Sequence, residues 1–212
     1  MNSMTGVPTE VTVEAGGHAK GVAVAIVTEN KDSSGQGRVK VRFPWHDQPT
    51  NSHWARIAMP MAGASRGVYF LPEVDDEVLV AFERGDVRFP YIVGSLWNGV
   101  DKAPSSNSDG KNDLRLIKSR KGHQLTFDDG PKGRVRLELS DGKHIEFNDE
   151  GLRLDDGKGN SIAFASNSGA VEIKAAASLT IKAPRITIDA TGTMAIKAGG
   201  TLTLNGTLVS IN

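Results

Sequence analysis

The chain has no cysteine in 212 residues, which excludes disulfides and thiolate metal ligands. Neither sign of charge is in excess: 25 basic residues balance 25 acidic ones, and a surface that tracks phosphates rests on a clear positive surplus. Aromatic residues are scarce at three Trp, two Tyr and seven Phe, whereas glycine is plentiful at 24. That balance favours a turn-rich β protein over a helical one or one with a broad aromatic core. No apolar run reaches the roughly 18 residues of a membrane-spanning helix. The opening MNSMTGVPTEVTVEAGG also lacks the basic-then-apolar order of a secretory signal. A chain made in the cytoplasm, with one or two domains, is expected.

What is present is a repeat. From Val171 to Asn212, apolar residues two apart recur as pairs every seven or eight positions: Val171/Ile173, Leu179/Ile181, Ile186/Ile188, Met194/Ile196, Leu202/Leu204 and Val209/Ile211. Each pair is the minimum strand signature, with one apolar face and one wet face. Small residues and turn formers such as Ala183-Pro184, Gly199-Gly200 and Asn205-Gly206 separate the pairs. Only twelve of these forty-two residues point inward. Burying each yields about 1.5–3 kcal/mol, while every ordered residue costs about 1–2 kcal/mol of backbone entropy. Such an array must be completed by stacking on neighbouring rungs or on other chains. Periodicity alone permits a solenoid of one chain as readily as several chains wound together.

Three further zones precede it. Residues 1–18 form a polar tail or partner arm with one short alternating run, Val11-Thr12-Val13. Residues 19–99 read as a compact domain of five longer strands: GVAVAIV from Gly21, RVKVRF from Arg38, WARIAM from Trp54, EVLVAF from Glu77 and YIVGSLW from Tyr91. Five strands in this length suit a small OB-type barrel, and spacing alone also allows an SH3-like one. Residues 100–111 (VDKAPSSNSDGK) are a polar linker. From 112 to 212 the chain is a shaft. Its nearer half alternates less regularly, through Leu114/Leu116, Leu125/Phe127, Val135/Leu137/Leu139, Ile145/Phe147, Leu152/Leu154 and Ile162/Phe164, with Asp-Gly turn strings between.

Particular residues say more than spacing. GRVKVRFPW (Gly37 to Trp45), HWARIAMPMAG (His53 to Gly63) and GVYFLPEVDDEVLVAFERGDVRFPYIVGSLWNG (Gly67 to Gly99) resemble the OB domain of the VgrG and phage baseplate-spike family. NDLRLIKSRKGHQLTFDD (Asn112 to Asp129) is similar to the segment that joins that domain to the spike shaft. The resemblance implies an all-β protein: an OB-fold barrel followed by an intertwined trimeric triple-stranded β-helix. The twelve paired residues above would line the trimer axis. It further implies a separate hub protein at the OB collar, since only about twenty residues precede the barrel, as in phage baseplate assembly protein V. No lysozyme-like module is expected between collar and shaft. A PAAR-type tip protein is implied against Ser210, Ile211 and Asn212, and the target envelope is contacted transiently as the particle, virion or secretion device fires.

Sites of chemistry are sparse. His18, His46, His53, His123 and His144 never form a close HxH pair, so no single-strand metal motif exists. The acidic strings FDDGPKG and LDDGKGN lack the fixed aspartate per rung of a calcium-binding β-roll and read as turns. Asp75-Asp76-Glu77 precede a strand, where Asp76 and Glu77 point to opposite faces and cannot flank one bond. GxxxxGK[ST] does not occur, and GxSxG is spelled once, by Gly63-Ala64-Ser65-Arg66-Gly67, in what reads as a connection between strands with no helix pattern after it. No catalytic residue, metal ligand or cofactor is expected. Arg38, Lys40, Arg42, Phe43 and Trp45 are the one fragment resembling a nucleic-acid or oligosaccharide face on an OB barrel. A β-helical adhesin or glycan lyase would need exposed aromatics on the shaft, and none follows Phe164. The expected role is thus a non-enzymatic central spike of a contractile injection system, a homotrimer without nucleic acid.

Overall fold

A computed structural model describes residues 13–14, 18–44 and 52–211. Trp45, His46, Asn212 and most of the tail lie outside the described residues, as does the side chain of His18. The chain divides into two units, Met1–Ser108 and Asp109–Asn212.

In the first unit, β1 (Val13–Glu14) pairs antiparallel with β2 (His18–Ala19). A five-stranded sheet follows, built from β3 (Val22–Glu29), β4 (Lys40–Arg42), β5 (Arg56–Ile57), β8 (Glu77–Phe82) and β9 (Pro90–Ser95). Its order is β4-β3-β8-β9-β5. Neighbours are antiparallel except β5 and β9, which run parallel through Arg56↔Tyr91 and Ile57↔Ile92. The two edges meet in a bridge between Val39 and Ala55, with N···O distances of 3.1 and 2.7 Å. Strict alternation places Ala23, Ala25, Val27, Val78 and Val80 on the inner face, joined by Val39, Val41, Ala55 and Ile92, all buried. The five strands fall where the alternation in sequence predicts them. A small hairpin, β6 (Ala62–Gly63) with β7 (Arg66–Gly67), forms inside what reads in sequence as a plain connection.

The second unit is a seven-stranded antiparallel meander of five-residue strands. They are β10 (Leu114–Lys118), β11 (Gln124–Asp128), β12 (Arg134–Glu138), β13 (His144–Asn148), β14 (Gly151–Asp155), β15 (Ser161–Ala165) and β16 (Ala170–Lys174). Each strand pairs only with its sequence neighbours. The turns are held by the residues that mark them in sequence. Asp128 Oδ1 accepts from the Gly130 N–H at 3.1 Å, and Asp156 Oδ1 accepts from Lys158 and Asn160 N–H groups at 2.8 and 3.0 Å. Asn148 Oδ1 takes the Glu150 and Gly151 N–H groups at 2.9 and 3.1 Å, closing the tightest turn. The acidic strings are therefore turn chemistry, as their spacing suggests.

Among the described residues no strand follows Lys174. Only the first apolar pair, Val171/Ile173, sits in a strand; the other five lie in chain without an intrachain ladder. A strand exists only where a second strand supplies partners for its N–H and C=O groups, and within one chain nothing offers them here.

Candidate functional site: an uncovered apolar face

Alternation gives the meander two unlike faces, and the register carries one of them unbroken across all seven strands. Ile117 lies opposite Leu125, then Leu137, Ile145, Leu154, Ile162 and Ile173 in turn. A second row runs Phe127, Val135, Phe147, Leu152, Phe164 and Val171. Cross-strand pairs of aromatic and aliphatic side chains of this kind are the unit of sheet stabilisation. Sequence spacing suggests Leu114/Leu116 as the first pair, but they face Asp128 and Thr126 on the opposite side, and Ile117 takes the apolar place. The run LRLIK has apolar residues at both parities, so period alone does not choose its face.

The opposite face carries a charge lattice. Arg136 donates to Glu146 at 2.7 Å and to Glu138 at 3.0 and 3.1 Å, while Arg134 reaches Asp128 at 3.3 Å. The Arg136 hydrogen bonds hold the Glu138 and Glu146 carboxyls below the usual glutamate range, against the opposing effect of burial. In return, Arg136 binds its proton still more firmly, chiefly through Glu138. Arg153 pairs with Asp155 farther along the same face. The alternating charges of RVRLE and HIEFN were the sequence signal for this lattice.

Burial is distributed in reverse of a self-sufficient domain. Thr126 and Ser161, on the polar face, are buried at 6% and 7% exposure, whereas Phe147 is 52% and Leu137 49% exposed on the apolar face. An apolar face of this extent left to solvent marks an interaction surface. Of the expected axis residues, Val171 and Ile173 extend this face in β16, and Leu179, Ile181, Ile186, Ile188, Met194, Ile196, Leu202, Leu204, Val209 and Ile211 are all exposed. The Ala176 N–H donates to Asn160 Oδ1 at 2.9 Å and ties the start of this stretch to the meander, which spacing did not reveal. Ser210 is exposed as well.

Residues 23–97, the barrel strands, match the type VI secretion system and phage-baseplate injector OB domain, and residues 115–173, from β10 to β16, match the phage baseplate V C-terminal trimerisation domain. The chain belongs to the phage baseplate V family. The trimerisation match coincides with the strands that build the uncovered face. Among curated proteins the chain is similar to the type VI secretion system spike protein VgrG3 of Vibrio cholerae, 35% identical over 101 residues, 44% of this chain and 10% of that protein. It is similar also to the spike protein VgrG2a of Pseudomonas aeruginosa, 34% over 103 residues, covering 44% of this chain and 12% of that one. VgrG1a of the same organism is 39% identical over 72 residues, 32% of this chain and 11% of that protein. The chain thus spans about a tenth of the length of these relatives.

Several of the groups that would suggest other chemistry are engaged elsewhere. Arg38 is clamped by Asp32 at 2.8 Å and lies 5.6 Å over the Trp54 ring, and Lys40 pairs with Glu29 at 2.8 Å. Phe43 is buried in the barrel, 5.6 Å from the Phe82 ring, so it offers no face to a base. Asp76 accepts from the Glu73 N–H at 2.8 Å, and Glu77 accepts from the Asn98 side chain at 3.2 Å, which ties both carboxylates to local structure. His123 Nδ1 accepts from the Ser140 N–H at 3.1 Å, and His144 Nδ1 lies 3.0 Å from the Gly142 carbonyl. No described helix is long and apolar enough to cross a membrane.

Proposed function

We propose that this member of the baseplate V family is the non-enzymatic central spike of a contractile injection device, assembled as a homotrimer. The observation that carries the reading is the apolar face running unbroken from Ile117 to Ile173, with much of it left exposed among the described residues. Three copies that turn this face to a common axis bury it at once, and the match to a trimerisation domain over the same strands supports that count. Residues 175–211 then find in the other two chains the ladder partners they lack in their own. The paired side chains from Leu179 to Ile211 form a dry axial core in this arrangement. The shaft is stiff because its backbone ladders run between chains, where one rung cannot open without its neighbours.

In this reading the OB barrel sits on a separate hub, a PAAR-type tip protein caps the shaft near Ser210, Ile211 and Asn212, and sheath contraction drives the assembly into the target envelope. Assembly takes place in the cytoplasm, into a baseplate or injection particle. The VgrG spike proteins to which the chain is similar support this placement. The mass of the purified full chain by native mass spectrometry or sedimentation decides the core of it. Three chains per particle are expected, and a stable monomer would overturn the proposal.

A further inference from the structure

A meander has two edges made of turns, and here they carry opposite charge. Turns 119–123, 139–143 and 156–160 form one edge, with Arg120, Lys121, Lys143 and Lys158 against Asp141 and Asp156. Both acids on this edge are occupied within it: Asp141 by Lys143, Asp156 by the N–H groups of Lys158 and Asn160. The edge is also tied from turn to turn, since Ser140 donates its N–H to His123 Nδ1 across two turns. Turns 129–133, 149–150 and 166–169 form the other edge. With Asp113, whose carbonyl accepts from the Asp129 N–H at 2.9 Å, this edge carries Asp113, Asp129, Asp149 and Glu150 against Lys132 and against Arg115, which pairs with Asp129 at 2.9 Å, so that Asp149 and Glu150 are its exposed acids in the shortest turn. Lys121, Lys158, Asp149 and Glu150 are all exposed.

We infer that these two edges are the mating surfaces between copies, the basic edge of one chain lying along the acidic edge of the next. The inference rests on the trimeric reading above and specifies how the copies face one another. Around a three-fold axis, with every apolar face turned inward and the strands lying across the axis, a given edge cannot meet its own kind. Each copy's first edge must meet the next copy's second edge, because a cyclic interface is heterologous. Rotation keeps height along the axis. Turn 156–160 of one copy therefore comes within one strand spacing, about 4.8 Å, of turn 149–150 of its neighbour, which sets Lys158 beside Glu150 and Asp149. Turn 119–123 likewise falls level with Asp113 and Asp129. Like-charged edges would repel all along the shaft; this arrangement instead favours the closed ring and disfavours a copy inserted upside down, which would bring like edges together.

A double-mutant cycle tests this without ambiguity. Lys158 and Glu150 lie at opposite ends of β14, five residues long, or about 17 Å apart at strand rise. Exposed charges at that distance are screened from each other within one chain at about 0.1 M salt. Lys158→Glu, Glu150→Lys and the double variant are compared with wild type for the thermal midpoint of the trimer at that salt. Each single reversal is expected to lower the midpoint by several degrees, and the double reversal to restore most of it. Additive losses, or singles indistinguishable from wild type, would overturn the edge pairing while leaving the trimer intact. A wild-type chain found as a monomer would instead sink the trimeric reading itself.

Discussion

The most demanding test of the sheet geometry is Gly151→Ala. Gly151 opens β14 directly opposite Ala165 of β15, with φ at +144°, and the N–H of Ser166 donates to the Glu150 carbonyl at 2.9 Å beside it. A Cβ at this position would lie 1.7 Å from the Phe164 carbonyl oxygen and 2.9 Å from its carbon, where real Cβ contacts essentially never fall below 3.0 Å. The obstacle is backbone rather than a flexible side chain, so the start of β14 must move away from β15. That movement gives up one or two ladder hydrogen bonds, at about 0.5–1.5 kcal/mol each. A side chain held at an unfavourable φ adds about 1–3 kcal/mol. The expected loss is about 1.5–6 kcal/mol per chain, on the order of 10 °C in unfolding midpoint. Gly142→Ala is the control, because its φ is +89° and nothing lies within 4 Å of the added carbon; it should lose only the backbone cost. Thermal unfolding of the full chain followed by far-UV circular dichroism reads both. Equal losses in the two variants would refute the close approach of β14 and β15.

Three further outcomes are expected. Replacing Ile186 and Ile188 by Asp should abolish the trimer in native mass spectrometry, and a trimer that survives both charges would refute an axial role for these residues. Because Glu138 and Glu146 titrate below the usual glutamate range, their contribution to stability is present above the ordinary glutamate value and is lost as pH falls through the lowered folded values; Glu146→Gln should therefore flatten the acid limb of a midpoint-against-pH curve and leave its neutral region with a lower plateau. Phe43→Ala removes a buried ring packed on Phe82 and should cost about 3–5 kcal/mol in denaturant unfolding, whereas a stability indistinguishable from wild type would contradict the core role given to this ring.

Much of the architecture was legible because both units obey period-2 alternation. GVAVAIV and EVLVAF form strands where they are read, although both are apolar at both parities and only the fold buries Ala23, Ala25, Val27, Val78 and Val80 while Val22 and Val24 face out; Asp-Gly strings such as DDGPKG and SDGK turn the chain where strands end. The apolar face from Leu125 to Ile173 was readable for the same reason. Where both parities are apolar, as in LRLIK, pairing with β11 chose the face, and no local signal could. The hairpin at Ala62–Gly67 was hidden by its small residues, which are as suited to a loop as to two residues of ladder. The pairs from Leu179 to Ile211 are regular in sequence yet stand in no ladder within the described chain, and in the proposed trimer their periodicity encodes contacts between molecules. The parallel pairing of β5 with β9 depends on contacts distant in sequence, and nothing within either run announced it.

The exposure of the meander's apolar face, with Phe147 and Leu137 about half open to solvent, also determines what its stability means. A domain that covers itself has a folding equilibrium independent of how much of it is dissolved. For a sheet whose cover is supplied by other copies, folding and association are one reaction, and its midpoint shifts with protein concentration. In the proposed trimer, dilution acts on this half of the chain as a denaturant would, and synthesis of several copies in proximity becomes part of how the assembly is made.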